Sequence, residues 1–329
     1  MTALAPTLET FFSDYLIRQR QASPHTITAY RDAIRLMLAF TAERAGKQPS
    51  QLDLADIDAP LLVAFLDHLE NERHNTIRTR NARLAAIHSF YHYAGLRHPE
   101  HAALIARVLA IPPKRADKPI VTFLHEDELD ALLAAIDRTT WTGRRDHALI
   151  LLAAQTGLRA AELIGLNSGD IHLGTGAHVT CLGKGRKHRI TPLIPVTTAT
   201  LRAWLKERAG DATQPLFPTR QGRRLSHDAL ERRLAKHVTA ASRACPTLAQ
   251  KTITPHVLRH TAAVRLLQAS VDTATIALWL GHESDQTTQI YLHADLTIKQ
   301  RAIDRTAPPG TKPGRYRPPD SLLAFLESL

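Results

Sequence analysis

A mainly α-helical chain in two domains, the second carrying a small antiparallel β-hairpin within an α+β arrangement, is what three features of the sequence predict. The length of 329 residues exceeds what one hydrophobic core usually organises. Between Ile111 and Pro119 three prolines among basic residues forbid helix, which places a linker there. Apolar residues recur at helical spacing along most of the chain, and one stretch near residue 180 reads instead as strand, turn and strand. The expected division is therefore a helical domain over 1–110, a basic linker over 111–119, a mixed domain over 120–307, and a terminal strap and helix over 308–329.

The first domain reads as helices throughout. One runs from Leu8 to Arg20, and the next opens at Ser23-Pro24, an N-cap followed by a proline suited to the first turn, and carries Ile27, Tyr30, Ile34, Leu38 and Phe40 on roughly one face. Asp58-Ala-Pro60 starts a third through Leu61, Phe65 and Leu69. Asn75 or Thr76 starts a fourth through Leu84, Ile87, Phe90 and Tyr91, with Arg78, Arg80 and Arg83 spaced so that two or three share a face turned away from the apolar stripe. Those arginines form either a solvated basic face or a contact surface for a polyanion.

In the second domain, helices are expected over Leu124 to Ile136 and Arg144 to Gln155, with a break at Thr156-Gly157 before Leu158 to Leu166. The strand signals are His178 to Leu182 and Lys187 to Thr191, joined by Gly183-Lys-Gly-Arg186, so that Lys184 sits at a hairpin tip. Helices follow at Thr198 to Arg208, Ser226 to Arg243, Pro255 to Gln268 and Asp272 to Leu280, with a last one entered at Ser284-Asp285. After the proline-rich stretch Pro308 to Pro319, Ser321 to Leu329 is a short apolar helix.

Charge narrows the function classes. With 42 Lys+Arg against 31 Asp+Glu, the net charge is +11. Residues 1–110 hold 12 basic and 11 acidic side chains, so nearly all of the excess lies downstream. A polyanionic partner is implied. Aromatic residues, at 5%, are too few for a binder that stacks single-stranded bases. Two cysteines make no disulfide framework, no secretory leader is evident, and no run approaches the roughly 18 apolar residues of a membrane span, so a cytoplasmic setting is expected.

Four local patterns could carry chemistry. Thr254-Pro-His256-Val-Leu-Arg259-His260 places two histidines and an arginine on one helical face. Spaced four apart, the histidines could face solvent or share a metal, although the glutamate of a His-Glu-x-x-His protease is missing. Thr156-Gly-Leu-Arg159-Ala-Ala-Glu162 sets an arginine three residues before a carboxylate, which taken alone is equally a surface ion pair. Leu280-Gly-His282 ends a helix at glycine, and Tyr291 follows nine residues later, where a lone tyrosine is more often core or interface.

Taken in order, Thr-Gly-Leu-Arg…Glu, Gly-Lys-Gly on a hairpin, His-x-x-Arg-His, Leu-Gly-His and the following tyrosine resemble the tyrosine recombinase, or phage integrase, family. The resemblance covers residues from about 120 to 296. The first domain is similar to that family's helical core-binding domain in Ser23-x-x-Thr26-x-x-x-Tyr30 and Arg83-Leu-Ala-Ala-Ile-x-x-Phe90. The two-domain arrangement looks like the simpler Xer-type and Cre-type members.

That resemblance implies catalytic roles for Arg159, Lys184, His256, Arg259, His282 and Tyr291, with Glu162 and His260 in support. Tyr291 would attack a DNA phosphate with His256 as its proton partner, Arg159 and Arg259 would clamp the phosphate, His282 would add a hydrogen bond, and Lys184, or Lys187 nearby, would protonate the leaving 5′ oxygen. No metal or other cofactor is called for. Arg78, Arg80, Arg83, Lys114, Arg115, Lys118, Arg186 and Lys187 are the candidate DNA contacts. The expected partners are duplex DNA with paired recombination sites and further copies of the chain, closing a tetramer on DNA through the terminal helix. A type IB-like topoisomerase and a catalytically silent DNA-binding protein are the alternatives.

Overall fold

Capping side chains set the starts of most helices in this chain, and the computed structural model shows them in place. It describes residues 4–116, 121–183, 188–281 and Tyr291. Cα packing divides the chain into two units, Met1–Lys118 and Pro119–Leu329.

The first unit contains α1 (Leu4–Thr10), which continues as a π-helical stretch over Phe11–Gln19, then α2 (Pro24–Ala45), α3 (Ala59–Asn71), α4 (Ile77–Gly95) and α5 (Ala102–Leu109). Ser23, Asp58 and Thr76 accept from the backbone N–H three residues on, at 3.2, 2.9 and 3.3 Å. The core gathers Met37, Phe65, Leu84, Ile87 and Phe90 around Phe11, whose ring lies 5.5 Å from those of both Phe90 and Tyr93. Helix α5 had no clear signal of its own in the sequence, being eight residues with two buried side chains, Ile105 and Val108.

The stretch read as a solvated linker is clipped to α4 at its start. Ile111 is buried in the first unit's core, Asn81 exchanges hydrogen bonds with the backbone of Lys114 at 2.7 and 3.1 Å, and Arg80 donates to the Pro112 carbonyl at 3.3 Å. A proline-rich segment leaves its carbonyls unpaired, and side chains of α4 take two of them.

The second unit contains α6 (Glu126–Ala134), α7 (Trp141–Thr156), α8 (Ala160–Gly165), β1 (Ile171–His172), β2 (His178–Leu182), β3 (His188–Pro192), α9 (Pro195–Arg208), α10 (His227–Ala241), α11 (Pro255–Gln268) and α12 (Thr273–Leu280). The strands form one antiparallel sheet in the order β1-β2-β3, with Cys181 opposite Arg189. The two-residue β1 is the strand that sequence patterning missed, being too short for alternation to register. Helix α8 begins at Ala160 because Arg159 is extended. The expected helix from Ser284 and the terminal strap and helix lie outside the described residues.

Helix α7 is the frame of this unit, packed against α9 and α11. A buried ionic cluster ties it to α10: Asp146 receives Arg145 through Nε and Nη2 at 3.0 and 2.7 Å, His237 at 2.9 Å and Arg233 at 3.3 Å. Arg145 also donates to the Pro218 carbonyl at 2.8 Å, so its buried fork is paired with a carboxylate and a carbonyl. Among the described residues, no helix is long and apolar enough to cross a membrane.

Candidate active site

Two helix ends and one helix start meet in the second unit, and glycine makes the approach possible. Helix α7 stops at Gly157, where φ is +65°, and a Cβ there would lie 2.5 Å from Leu280 Cδ2. Helix α12 stops at Gly281, where φ is +64°, and a Cβ there would lie 2.5 Å from Arg189 Nη1. Both positions need the left-handed conformation and the missing side chain. Arg159, extended at the start of α8, has its backbone N–H accepted by Glu162 Oε2 at 2.8 Å.

Three guanidiniums converge on the turn that closes α12. Arg259, on α11 and 2% exposed, donates through Nη1 to the Gly157 carbonyl and through Nη2 to the Leu280 carbonyl, both at 2.7 Å. Arg159 reaches the Gly281 carbonyl through Nη2 at 2.9 Å and Glu162 Oε1 through Nη1 at 2.8 Å. Arg189, on β3, donates to Glu162 Oε2 at 2.8 Å and to the Leu280 carbonyl. The carbonyls at a helix C-terminus are its partial negative pole, which favours this gathering of cations.

The field is strongly positive. Burial, reinforced by the charge of Arg159, pushes the Arg259 guanidinium down to about 10, still cationic at neutral pH. Burial alone would raise the Glu162 carboxyl, but the Arg159 backbone N–H and the charges of Arg189 and Arg159 outweigh it and hold the group below its usual range.

Tyr291 is 1% exposed and packs with Phe123, Val264, Ile276 and Leu280. Its hydroxyl lies 3.1 Å from His260 Nδ1. Burial raises the phenol, and the nearby Arg259 and Arg159 pull the other way. His256 packs edge-on against His260, ring centroids 4.2 Å apart, and partial desolvation together with the charges of Arg259 and Arg159 lowers its imidazole. The sequence reading gave His256 the place beside the tyrosine, and the structure puts His260 there. Four residues is one helical turn, so His256 lies at the start of α11 while His260 lies deeper along the same face.

Arg159, His256 and Arg259 line a cleft of about 370 Å³, shared with His227 and Glu231 of α10. With Asp228, those two form a solvent-exposed group whose ligand-type atoms lie within 4.8 Å of one another. Lys184, Lys187, Arg186, His282 and Lys118 lie outside the described residues.

Arg189 is the site residue that motif reading missed. Its signal was present in the alternation of β3, which is inverted: Arg189 and Thr191 face inward while Ile190 is 64% exposed. An inward arginine on a strand needs a buried acceptor, here Glu162.

The basic side chains of the first unit separate by position. Arg78 and Arg115 are exposed. Arg80, one of the three arginines of which two or three were expected on a common outward face, is 4% exposed and committed to Pro112 and to Asn81 Oδ1 at 3.1 Å. At about 100° per residue Arg78 and Arg80 point to opposite sides of α4. Arg83 is half-buried, and Lys114 is engaged by Glu70, with Asp67 at 4.0 Å.

Comparison with known proteins adds an independent line. Residues 122–297 match the phage integrase family and residues 10–98 the phage integrase N-terminal SAM-like domain. A Sinorhizobium fredii protein provisionally named integrase/recombinase y4rC is 55% identical over 327 residues, covering 99% of this chain and 98% of its own length. Tyrosine recombinase XerC of Rhodospirillum centenum is 36% identical over 286 residues, covering 85% and 81%. Among solved structures, XerH site-specific recombinase bound to a palindromic difH substrate aligns with a TM-score of 0.67 at 23% identity, covering 88% of this chain and 81% of that one, which speaks to the fold.

Proposed function

We propose, from the premise that this chain belongs to the phage integrase family and is a tyrosine site-specific recombinase, that its catalytic steps are carried by the residues gathered around the α12 turn. The observation that carries this reading is the placement of Arg159 and Arg259 beside a cleft, with the Tyr291 phenol in their field and hydrogen-bonded to His260.

In this reading a DNA phosphodiester enters the cleft and is held by the two guanidinium forks, with His256 at the mouth and His282 adding a donor. Tyr291 Oη attacks phosphorus in line, its proton passing toward His260. The bond from phosphorus to the 5′ oxygen breaks, and Lys184 donates a proton to that oxygen. The product is a 3′-phosphotyrosine that conserves the energy of the broken bond, so a free 5′ hydroxyl from a second duplex can reverse the step without a nucleotide cofactor. Cationic side chains supply the charge neutralisation that other phosphoryl-transfer enzymes obtain from metal. The supporting contacts are Arg78, Arg83 and Arg115 in the first unit and Arg186 and Lys187 on the hairpin, with Arg80 reassigned to holding the linker. Binding to duplex DNA would be steeply salt-dependent. The setting is the cytoplasm, and the outcome, integration, transposition or resolution, depends on where the paired sites lie.

Footprinting on the DNA flanking the gene identifies the site to be used as substrate. On a nicked duplex of that sequence, Lys184→Ala should cleave slowly, and a 5′-bridging sulfur, which leaves without a proton, should restore most of the rate. Arg159→Ala should show no such recovery. Rescue of Lys187→Ala instead would move the acid by three residues. Cleavage should also persist in EDTA, and its loss there would point to an ion in the cleft, with the exposed group at His227, Asp228 and Glu231 as its first candidate holder.

Assembly on paired sites is assigned to the segment beyond Ala307. Leu322, Leu323, Phe325, Leu326 and Leu329 form an apolar set too short to be stable as an isolated helix, which favours docking on a neighbouring copy in a head-to-tail ring of four. Burial of such side chains at about 1.5–3 kcal/mol each opposes the entropy lost in ordering the strap and is large enough to bear on assembly. Truncation after Ala307 should leave single-site binding nearly intact and weaken cooperative assembly on two sites. A truncated protein that still forms synaptic tetramers on a native gel and recombines at the full rate would remove this role from the tail.

A further inference from the structure

Arg189 lies on the strand that leads away from the hairpin tip, and none of the motifs assigns it a role. It is 8% exposed, and its guanidinium spans two groups that the proposed clamp also uses. Nη2 donates to Glu162 Oε2 at 2.8 Å, the oxygen that also accepts the Arg159 backbone N–H at 2.8 Å, and Nη1 donates to the Leu280 carbonyl, which also accepts Arg259 Nη2 at 2.7 Å. The other oxygen of Glu162 holds Arg159 Nη1 at 2.8 Å. Arg189 therefore touches, through one shared acceptor each, both arginines that line the cleft, while being absent from the cleft lining itself.

Charge counting gives this geometry a consequence. Arg159, Arg189, Arg259 and Glu162 together carry two net positive charges, which matches the charge that builds on a phosphodiester as a fifth oxygen joins phosphorus. Without Arg189, Glu162 would remain a buried carboxylate with Arg159 as the one guanidinium hydrogen-bonded to it among the described residues. A buried carboxylate holds its remaining cation more tightly, because desolvation is offset only by that partner. Arg159 would then be neutralised and drawn toward Glu162 at the point where the phosphate needs it.

We infer that Arg189 is a positioning residue for strand cleavage: by sharing Glu162 and the Leu280 carbonyl, it keeps the Glu162 charge from sequestering Arg159 and fixes the α12 turn against which both cleft arginines are aligned. The inference rests on the reading of Arg159 as a phosphate clamp. Lysine could satisfy one of the two acceptors but not both, since it lacks the planar fork.

The test is a mutant cycle read by single-turnover cleavage of the footprinted nicked duplex at saturating protein, with duplex affinity measured separately. Arg189→Gln should slow cleavage by about 100-fold, the scale expected when a clamp is misplaced by an ångström, with affinity nearly unchanged. Arg189→Lys should recover part of the rate. The distinguishing variant is Arg189→Gln combined with Glu162→Gln: removing the carboxylate as well should make the double variant cleave at least about tenfold faster than Arg189→Gln alone, the reverse of what two independent structural losses would give. The double variant also buries no unpaired charge, so it carries the test if Arg189→Gln alone fails to fold. A double variant no faster than Arg189→Gln or, where that single variant does not fold, no faster than one-tenth of the Glu162→Gln rate would overturn the inference. So would an Arg189→Lys that matches wild type, or a loss confined to affinity. Tyr291→Phe in the same assay separates the two levels, since an adduct that survives it sinks the catalytic reading itself, whereas an adduct lost in Tyr291→Phe with an additive Arg189 cycle sinks only the role of Arg189.

Discussion

Phenylalanine in place of Tyr291 is expected to abolish the covalent protein–DNA adduct while leaving duplex binding within about twofold of wild type, because the substitution removes the nucleophilic oxygen and keeps a ring of nearly the same shape. The ring is buried among Phe123, Val264, Ile276 and Leu280, all of which phenylalanine would still contact. The lost hydrogen bond to His260 costs about 1 kcal/mol of stability, so the variant should remain folded. Denaturing gels of a nicked duplex provide the measurement, and binding by the same protein shows that the loss lies in the chemistry. An adduct that persists, or one that maps to Tyr316, would falsify the assignment. His260→Ala should slow the same reaction more than His256→Ala slows proton removal, since His260 is the ring at the phenol; the opposite order would return the proton-accepting role to His256.

Arg259→Ala should be the most damaging substitution among the cationic residues. Cleavage should fall by at least about 10³-fold, the upper range for loss of a donor to a developing oxyanion. Stability should fall as well, because the Gly157 and Leu280 carbonyls would lose a charged donor at 2.7 Å each. Leaving buried acceptors short of partners costs on the order of 1–3 kcal/mol, readable as a lower unfolding midpoint. Arg259→Lys isolates the fork from the charge. A lysine keeps the positive field and so most of the DNA affinity, yet cannot bridge two carbonyls and present a planar edge to phosphate, so cleavage should still fall about 100-fold. A lysine variant that cleaves like wild type would mean that charge alone suffices.

Much of this was legible before any coordinates. The caps at Ser23, Asp58, Thr76, Ser226 and Asp272 announced helix starts because a short polar side chain before an apolar run has one favourable local use. Gly157 and Gly281 announced helix ends, and the order of arginine, histidine and tyrosine motifs identified the family. Sequence by itself thus determined the type of most elements, β1 and α5 excepted, the division into a near-neutral helical part and a basic part, and the reactive groups other than Arg189, since each depends on neighbours within a few residues or on a motif read as a string. Tertiary structure alone decided which group faces which. His260 rather than His256 meets the phenol of Tyr291, 31 residues away along the chain. Arg80 turns inward to the linker while Arg78 stays out. Arg189 joins Glu162, 27 residues distant, and Leu280, 91 residues distant, in one network. The period of α4 and the alternation of β3 mark Arg80 and Arg189 as inward-facing, but the distant acceptor that each side chain reaches is set by packing and leaves no local pattern by which it could be read.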